Sequence, residues 1–172
     1  NLLSENIGVL LDTYEKKSLG GTGTSFDWNL AHGAVMIAAG LWQRPWYFPR
    51  EGEKLSEAYI REATVTRKSV GICDVTSLGK IDIKGPDSAE FLNRVYTNAW
   101  MKLPVGKARY GVMLREDGIV FDDGTTTRIA ETHYHMTTTT AQAVNVLSHL
   151  EYYLQVVWPE LNVNVLSTTE QW

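Results

Sequence analysis

An α+β fold with a largely antiparallel sheet is predicted by three features of the sequence: a hairpin pattern over 107–124, short strand-like segments elsewhere, and amphipathic helical stretches among them. In the hairpin, Glu116-Asp117-Gly118 supplies a three-residue turn whose glycine can take positive φ. The second strand of this hairpin runs into Phe121-Asp122-Asp123-Gly124. Successive strand side chains point to opposite faces, so one of these two acids faces inward while its neighbour faces out.

The remaining elements follow from period and punctuation. Residues 1–27 contain Gly20, Gly21 and Gly23 among Ser and Thr, which reads as an arm or linker, and 28–172 as the folded part. Trp42, Trp46, Tyr47 and Phe48 form an aromatic stretch expected to pack under a domain. Residues 54–70 read as a helix with Leu55, Tyr59, Ala63 and Val70 near one face, Glu57 and Arg61 paired at i,i+4, and Gly71 as the stop. Residues 74–85 read as a strand in which Ile81 and Ile83 alternate with Lys80, Asp82 and Lys84. Gly85-Pro86-Asp87 opens a helix whose inner face is Ala89, Leu92, Val95 and Tyr96. A further strand pair is expected over 125–136. Beyond it, Thr139 and Gln142 suggest a capping box for a helix striped by Ala143, Leu147, Leu150, Leu154 and Val157. Trp158-Pro159 stops that helix, and 161–166 reads as a last strand.

The chain has 172 residues, 44% hydrophobic and 21% charged, enough to bury a core. A formal charge of −4 without a Lys/Arg run argues against nucleic acid as a partner. The longest apolar run, from Ala34 to Trp42, is far short of the ~20 residues of a membrane span. One cysteine, Cys73, rules out an internal disulfide, and no secretory signal is evident, so a cytoplasmic location is expected. The start at Asn1 and the stop at Trp172 just after a strand suggest a piece of a longer protein.

No P-loop, G-x-G-x-x-G, G-x-S-x-G or H-E-x-x-H motif is present. His133 and His135 share a strand face, but no suitably spaced third metal ligand accompanies them, so they read as surface or packing residues. Cys73 beside Asp74 reads as core, since a neighbouring acid raises a thiol pKa. No metal site is expected. An aspartate with a pKa near ~3.9 is ionised at neutral pH, so one facing a ligand can steady a cation or take a proton from an amine. Asp123 is the catalytic candidate of the pair, and Tyr110 on the preceding strand can offer a ring to a flat ligand.

Several ordered motifs carry a resemblance. Val65 to Gly79, Gly85-Pro86-Asp87, Tyr96 to Ala99, Leu103 to Tyr110 and Gly118 to Asp123 resemble the aminomethyltransferase (glycine-cleavage T-protein) family. The variants Gly79 to Ile83, Arg94 to Asn98, Asp122 to Thr126, Thr137 to Thr140 and Thr168 to Trp172 look more like that family's branch in the sarcosine oxidase alpha subunit. The resemblance runs from roughly His32 to Trp172.

It implies a tetrahydrofolate-binding region that collects the one-carbon unit released when sarcosine is demethylated to glycine, giving 5,10-methylenetetrahydrofolate. Asp123 matches the family carboxylate beside the folate nitrogens, Tyr110 a tyrosine at the pterin, and Leu78 an apolar residue of the pterin wall. Thr138 falls where an asparagine lines the site. Ser77 stands at the usual histidine position and Ala99 at an aspartate position, departures that fit the sarcosine oxidase branch and count against transfer from a lipoyl carrier. The resemblance also implies the other sarcosine oxidase subunits as partners, especially a flavin-bearing beta subunit. FAD, FMN and NAD are expected only in the complete complex, outside this chain. Further folate contacts belong to sequence beyond these motifs, so the isolated chain is expected to be inactive and to bind folate weakly or not at all. The alternatives are a stand-alone aminomethyltransferase and a docking module of the same fold without chemistry.

Overall fold

The computed structural model describes residues 7–10, 33–40, 42–73 and 75–171. The chain divides into two compact units between Ser77 and Leu78.

In the first unit, β1 (Ile7–Leu10) pairs in parallel with β4 (Val70–Cys73), and β2 (Val35–Ala39) pairs antiparallel with β3 (Trp42–Tyr47). Most of the arm expected over 1–27 lies outside the described residues, as do the side chain of Cys73 and all of Asp74. Trp46 in the aromatic stretch is 49% exposed. Helix α1 spans Leu55–Lys68, so Val70 and Gly71 belong to a strand rather than to the helix end expected there. Its fully buried position is Ala58, whereas Tyr59, expected inside, is exposed. The expected Glu57–Arg61 pair is also replaced. Glu57 accepts the Lys54 backbone N–H, and Arg61 donates to both carboxylate oxygens of Glu53 and to the Phe48 carbonyl. A planar guanidinium satisfied at three acceptors outcompetes a surface i,i+4 pair worth a few tenths of a kcal/mol.

The second unit is built on a five-stranded sheet in the order β6-β7-β8-β5-β9, with every neighbouring pair antiparallel. Its strands are β5 (Gly79–Lys84), β6 (Ala108–Leu114), β7 (Val120–Ala130), β8 (His133–Thr138) and β9 (Asn164–Ser167). Helix α2 (Ser88–Val95) follows β5, and α3 (Ala143–Tyr152) follows a 3-10 turn over Thr140–Gln142, ending in a π-helical turn at Tyr153–Val157.

One face of the sheet makes the core. Ile81 and Ile83 of β5, Met113 of β6, and Tyr134 and Met136 of β8 are buried with Phe91, Leu92 and Val95 of α2 and Val146 and Leu150 of α3. Period two on the strands and an apolar stripe on each helix bring these together, and the opposite sheet face carries Lys80 and Asp82 of β5 and His133, His135 and Thr137 of β8. Ile81, Ile83, Leu92, Val95, Tyr96 and Leu150 are inside, as the pattern requires. Val146 takes the buried place on α3, and Val157 is exposed because the π turn shifts the stripe before reaching it.

Candidate functional site

Two ladder pairs locate the acids. Asp122 lies opposite Met113 and Asp123 opposite Val112, so the two carboxyls leave β7 on different faces. Asp122 is 4% exposed on the helix side, and the Thr139 backbone N–H lies 3.2 and 3.3 Å from its two oxygens. Burial pushes its carboxyl above the ordinary range, and the bonds from Thr139 only partly offset this.

Asp123 is half-buried on the face away from the helices. Tyr110 pairs with Thr125, two residues along β7, which makes Tyr110 and Asp123 diagonal neighbours on one face, about 7–8 Å apart at the backbone. The Tyr110 ring is 60% exposed. Thr125 is followed across the sheet by Thr137, whose hydroxyl accepts the Thr125 N–H at 3.0 Å and also lies 3.2 Å from the Thr125 carbonyl. Lys80 pairs with Thr137 on the next strand. Thr125, Thr137 and Lys80 therefore share the face of Asp123, and sequence reasoning missed them. Counting alternate positions back from buried Tyr134 and Met136 would have found Thr137.

Leu78 precedes β5. Because Gly79 pairs with Thr138, Leu78 lies at the Thr139 end of the sheet, the end that also holds Asp123, two strands or about 10 Å away. It is half-buried, and its carbonyl accepts a bond from the Lys80 ammonium at 3.0 Å. Thr138 is placed differently. Its side chain is 2% exposed on the helix side, and its hydroxyl donates to the Thr139 carbonyl at 3.1 Å. The structure thus brings Tyr110 and Asp123 together, sets Leu78 at their end of the sheet, and turns the Thr138 side chain to the other face.

Further along the same face, Asp82 is held by three partners. His135 Nδ1 lies 2.7 Å from one of its oxygens, with His133 Nε2 at 2.9 Å and Lys84 Nζ at 3.1 Å from the other. The histidines are packing residues for this carboxylate, and among the described residues no group of three or more His, Cys, Asp or Glu is arranged to hold a metal ion. Burial draws the Asp82 carboxyl upward, but the bonds from His135, Lys84 and His133 outweigh it and hold it below the usual range. A carboxyl depressed in the folded state stabilises above its unfolded pKa, and that contribution disappears as pH falls through the lower folded value. Urea unfolding followed from about pH 5 down to pH 2 should therefore show a shallower acid loss in Asp82→Asn than in the parent, with the variant already less stable at pH 7. Parallel acid limbs would contradict the role given to this carboxylate.

A mostly antiparallel sheet with helices on one face is the arrangement of an aminomethyltransferase-like fold. The crystal structure of glycine cleavage system aminomethyltransferase T from Bartonella henselae has this fold, with a TM-score of 0.65 and 21% identity over 83% of this chain and 37% of that one. The chain belongs to the family described as the GCVT N-terminal domain, whose model matches residues 25–172.

Among curated relatives, it is 58% identical over 147 residues to sarcosine oxidase subunit alpha of Rhizobium meliloti (strain 1021). It is 55% identical over 144 residues to the subunit of the same name from Corynebacterium sp. (strain U-96). These matches cover 85% and 84% of this chain but 15% of each relative. An aminomethyltransferase from Thermotoga petrophila is 35% identical over 98 residues, 57% of this chain and 25% of that protein. Among the described residues no helix is long and apolar enough to cross a membrane.

Proposed function

We propose that residues 28–172 are part of a tetrahydrofolate-binding domain in a sarcosine oxidase alpha subunit, working in the cytoplasm with a flavin-bearing beta subunit. The domain captures the one-carbon unit from the demethylation of sarcosine to glycine as 5,10-methylenetetrahydrofolate. FAD, FMN and NAD belong to other parts of that complex. The reading is carried by Asp123 and Tyr110 as diagonal neighbours on the sheet face away from the helices. The 58% identity to a sarcosine oxidase alpha subunit favours this branch over a stand-alone aminomethyltransferase.

The residues present fit a reduced pterin: an exposed ring for a flat heterocycle, an apolar side chain at the same end of the sheet, and a carboxylate between them. Tetrahydrofolate, when bound, supplies the nitrogens that accept the carbon. Asp123 provides a fixed negative charge against the cationic carbon donor, and because the charge is already in place, little reorganisation is needed as the bond forms. The alternative role of the same carboxylate is to take up the proton lost from the amine. Tyr110 stacks on the ring system and Leu78 closes its apolar edge. Thr138 has its side chain on the other face, where its hydroxyl donates to the Thr139 carbonyl.

The test is Asp123→Asn in the full-length protein with its partner subunits. Formation of 5,10-methylenetetrahydrofolate should fall about 10²–10³-fold, the usual cost of deleting one preorganised electrostatic group. Sarcosine consumption should persist, with the carbon released as formaldehyde. Unchanged folate product would reject the assignment.

A further inference from the structure

Asp123 occupies an unusual stretch of β7. On one side the β6–β7 register shifts just before it, since Met113 pairs with Asp122 but Leu114 pairs with Val120. Such bulges re-aim side chains and interrupt the ladder. On the other side, backbone pairing with β8 runs from Ala130↔His133 only as far as Thr126↔Met136. From there toward Asp122 two side chains take over. The Thr137 hydroxyl bonds the Thr125 backbone, and the Asp122 carboxylate receives the Thr139 N–H.

A one-residue slip would put a side chain where Gly124 leaves no room for a Cβ, so strand alternation fixes the faces of the two acids. Beside the bulge and beyond the last backbone pair with β8, the Asp122–Thr139 tie holds this stretch of β7 to the end of β8. The position of Asp123 on the opposite face depends on it.

We propose that Asp122 is a positioning residue that holds Asp123 in place at the ligand face, acting through its bond to Thr139. This rests on the functional reading above and adds a second residue to it. Asparagine at 122 keeps an acceptor oxygen, whereas alanine does not. Thr139 has φ −57°, within the range of proline, and follows an extended residue, so Thr139→Pro removes the backbone donor, together with the hydroxyl that also bonds Asp122, without forcing the backbone.

The experiment is a double-mutant cycle in the full-length protein with its partner subunits, reading 5,10-methylenetetrahydrofolate formation, with sarcosine consumption and melting temperature measured in parallel. Asp122→Ala and Thr139→Pro should each lower kcat for transfer to folate about 10–10²-fold, with KM for folate changing little, the cost expected for an approximately 1 Å misplacement of the reacting groups. Asp122→Asn should stay within about 3-fold of the parent, since its acceptor persists. In an Asp123→Asn background, Asp122→Ala and Thr139→Pro should change the residual rate less than about 2-fold, because there is no longer a charge to misplace. Equal losses in both backgrounds would overturn the proposal, as would Asp122→Asn being as damaging as Asp122→Ala. Should Asp122→Ala fail to fold, Thr139→Pro and Asp122→Asn decide the question. If Asp123→Asn itself leaves the folate product unchanged, the functional reading fails first, an outcome separate from additivity in the cycle.

Discussion

Gly124→Ala should lower the stability of the second unit by about 3 kcal/mol or more, the upper range for forcing extra volume into a closed interior. A Cβ at residue 124 would stand 2.0 Å from the Thr137 carbonyl oxygen and 2.9 Å from its carbon. Both are backbone atoms, so no rotamer change relieves the clash. The strand must move, and with it the Thr125–Thr137 bonds beside Asp123. Thermal unfolding should show a melting temperature lower by more than about 10 °C. Gly118→Ala is the useful contrast. Gly118 has φ +81° in the hairpin turn, but nothing lies within 4 Å of its would-be Cβ. Its substitution should cost only about 1 kcal/mol, the strain of a positive φ. A Gly124 variant no worse than the Gly118 variant would show that β7 and β8 are not in the close contact described.

Gly124 also shows where sequence reading stopped short. As a residue type it marks a strand end, and the hairpin was accordingly expected to close there with a new strand pair beginning at Thr125. Instead β7 runs on to Ala130, and the glycine serves the approach of a neighbouring strand. The turn at Glu116-Asp117-Gly118 was legible because its cause is local: Gly118 N–H bonds the Arg115 carbonyl at 2.9 Å and Arg115 N–H bonds the Ile119 carbonyl at 2.9 Å. The reason for Gly124 lies on β8, out of reach of a local pattern.

The same distinction explains the other differences. Thr139 and Gln142 have the spacing of a capping box, yet Thr139 makes no side-chain cap bond, and its N–H is taken by Asp122, 17 residues earlier. Gln142 N–H bonds the Thr139 carbonyl instead, which closes the 3-10 turn before α3. His133 and His135 could be placed on one face from their spacing, but their shared partner Asp82 becomes visible only with the β5–β8 register. At the candidate site, strict alternation separated Asp122 from Asp123. Leu78 and Thr138 came instead from a family resemblance, which carries no orientation, and the strand register sets the Thr138 side chain apart from the others.

Trp100→Ala should be the most damaging large-to-small change near the site, costing about 3–5 kcal/mol, the range for deleting a buried tryptophan. The ring is fully buried and meets Tyr96 edge-on at 5.3 Å, with the Arg109 guanidinium 6.0 Å from its centre. Its Cζ2 lies 2.6 Å from where a Cβ on Gly111 would stand, so the indole fills the space beneath β6 directly next to Tyr110. Removing it leaves a cavity bounded by strand backbone that cannot collapse without moving β6 and the tyrosine on its other face. Two measurements should therefore change together: the free energy of unfolding in urea, and the affinity of the full-length protein for tetrahydrofolate. Trp100→Phe keeps most of the volume and loses an indole N–H that has no bonding partner among the described residues, so its stability cost should stay below about 1.5 kcal/mol. Loss of stability in Trp100→Ala with folate affinity intact would separate the packing beneath β6 from the position of Tyr110.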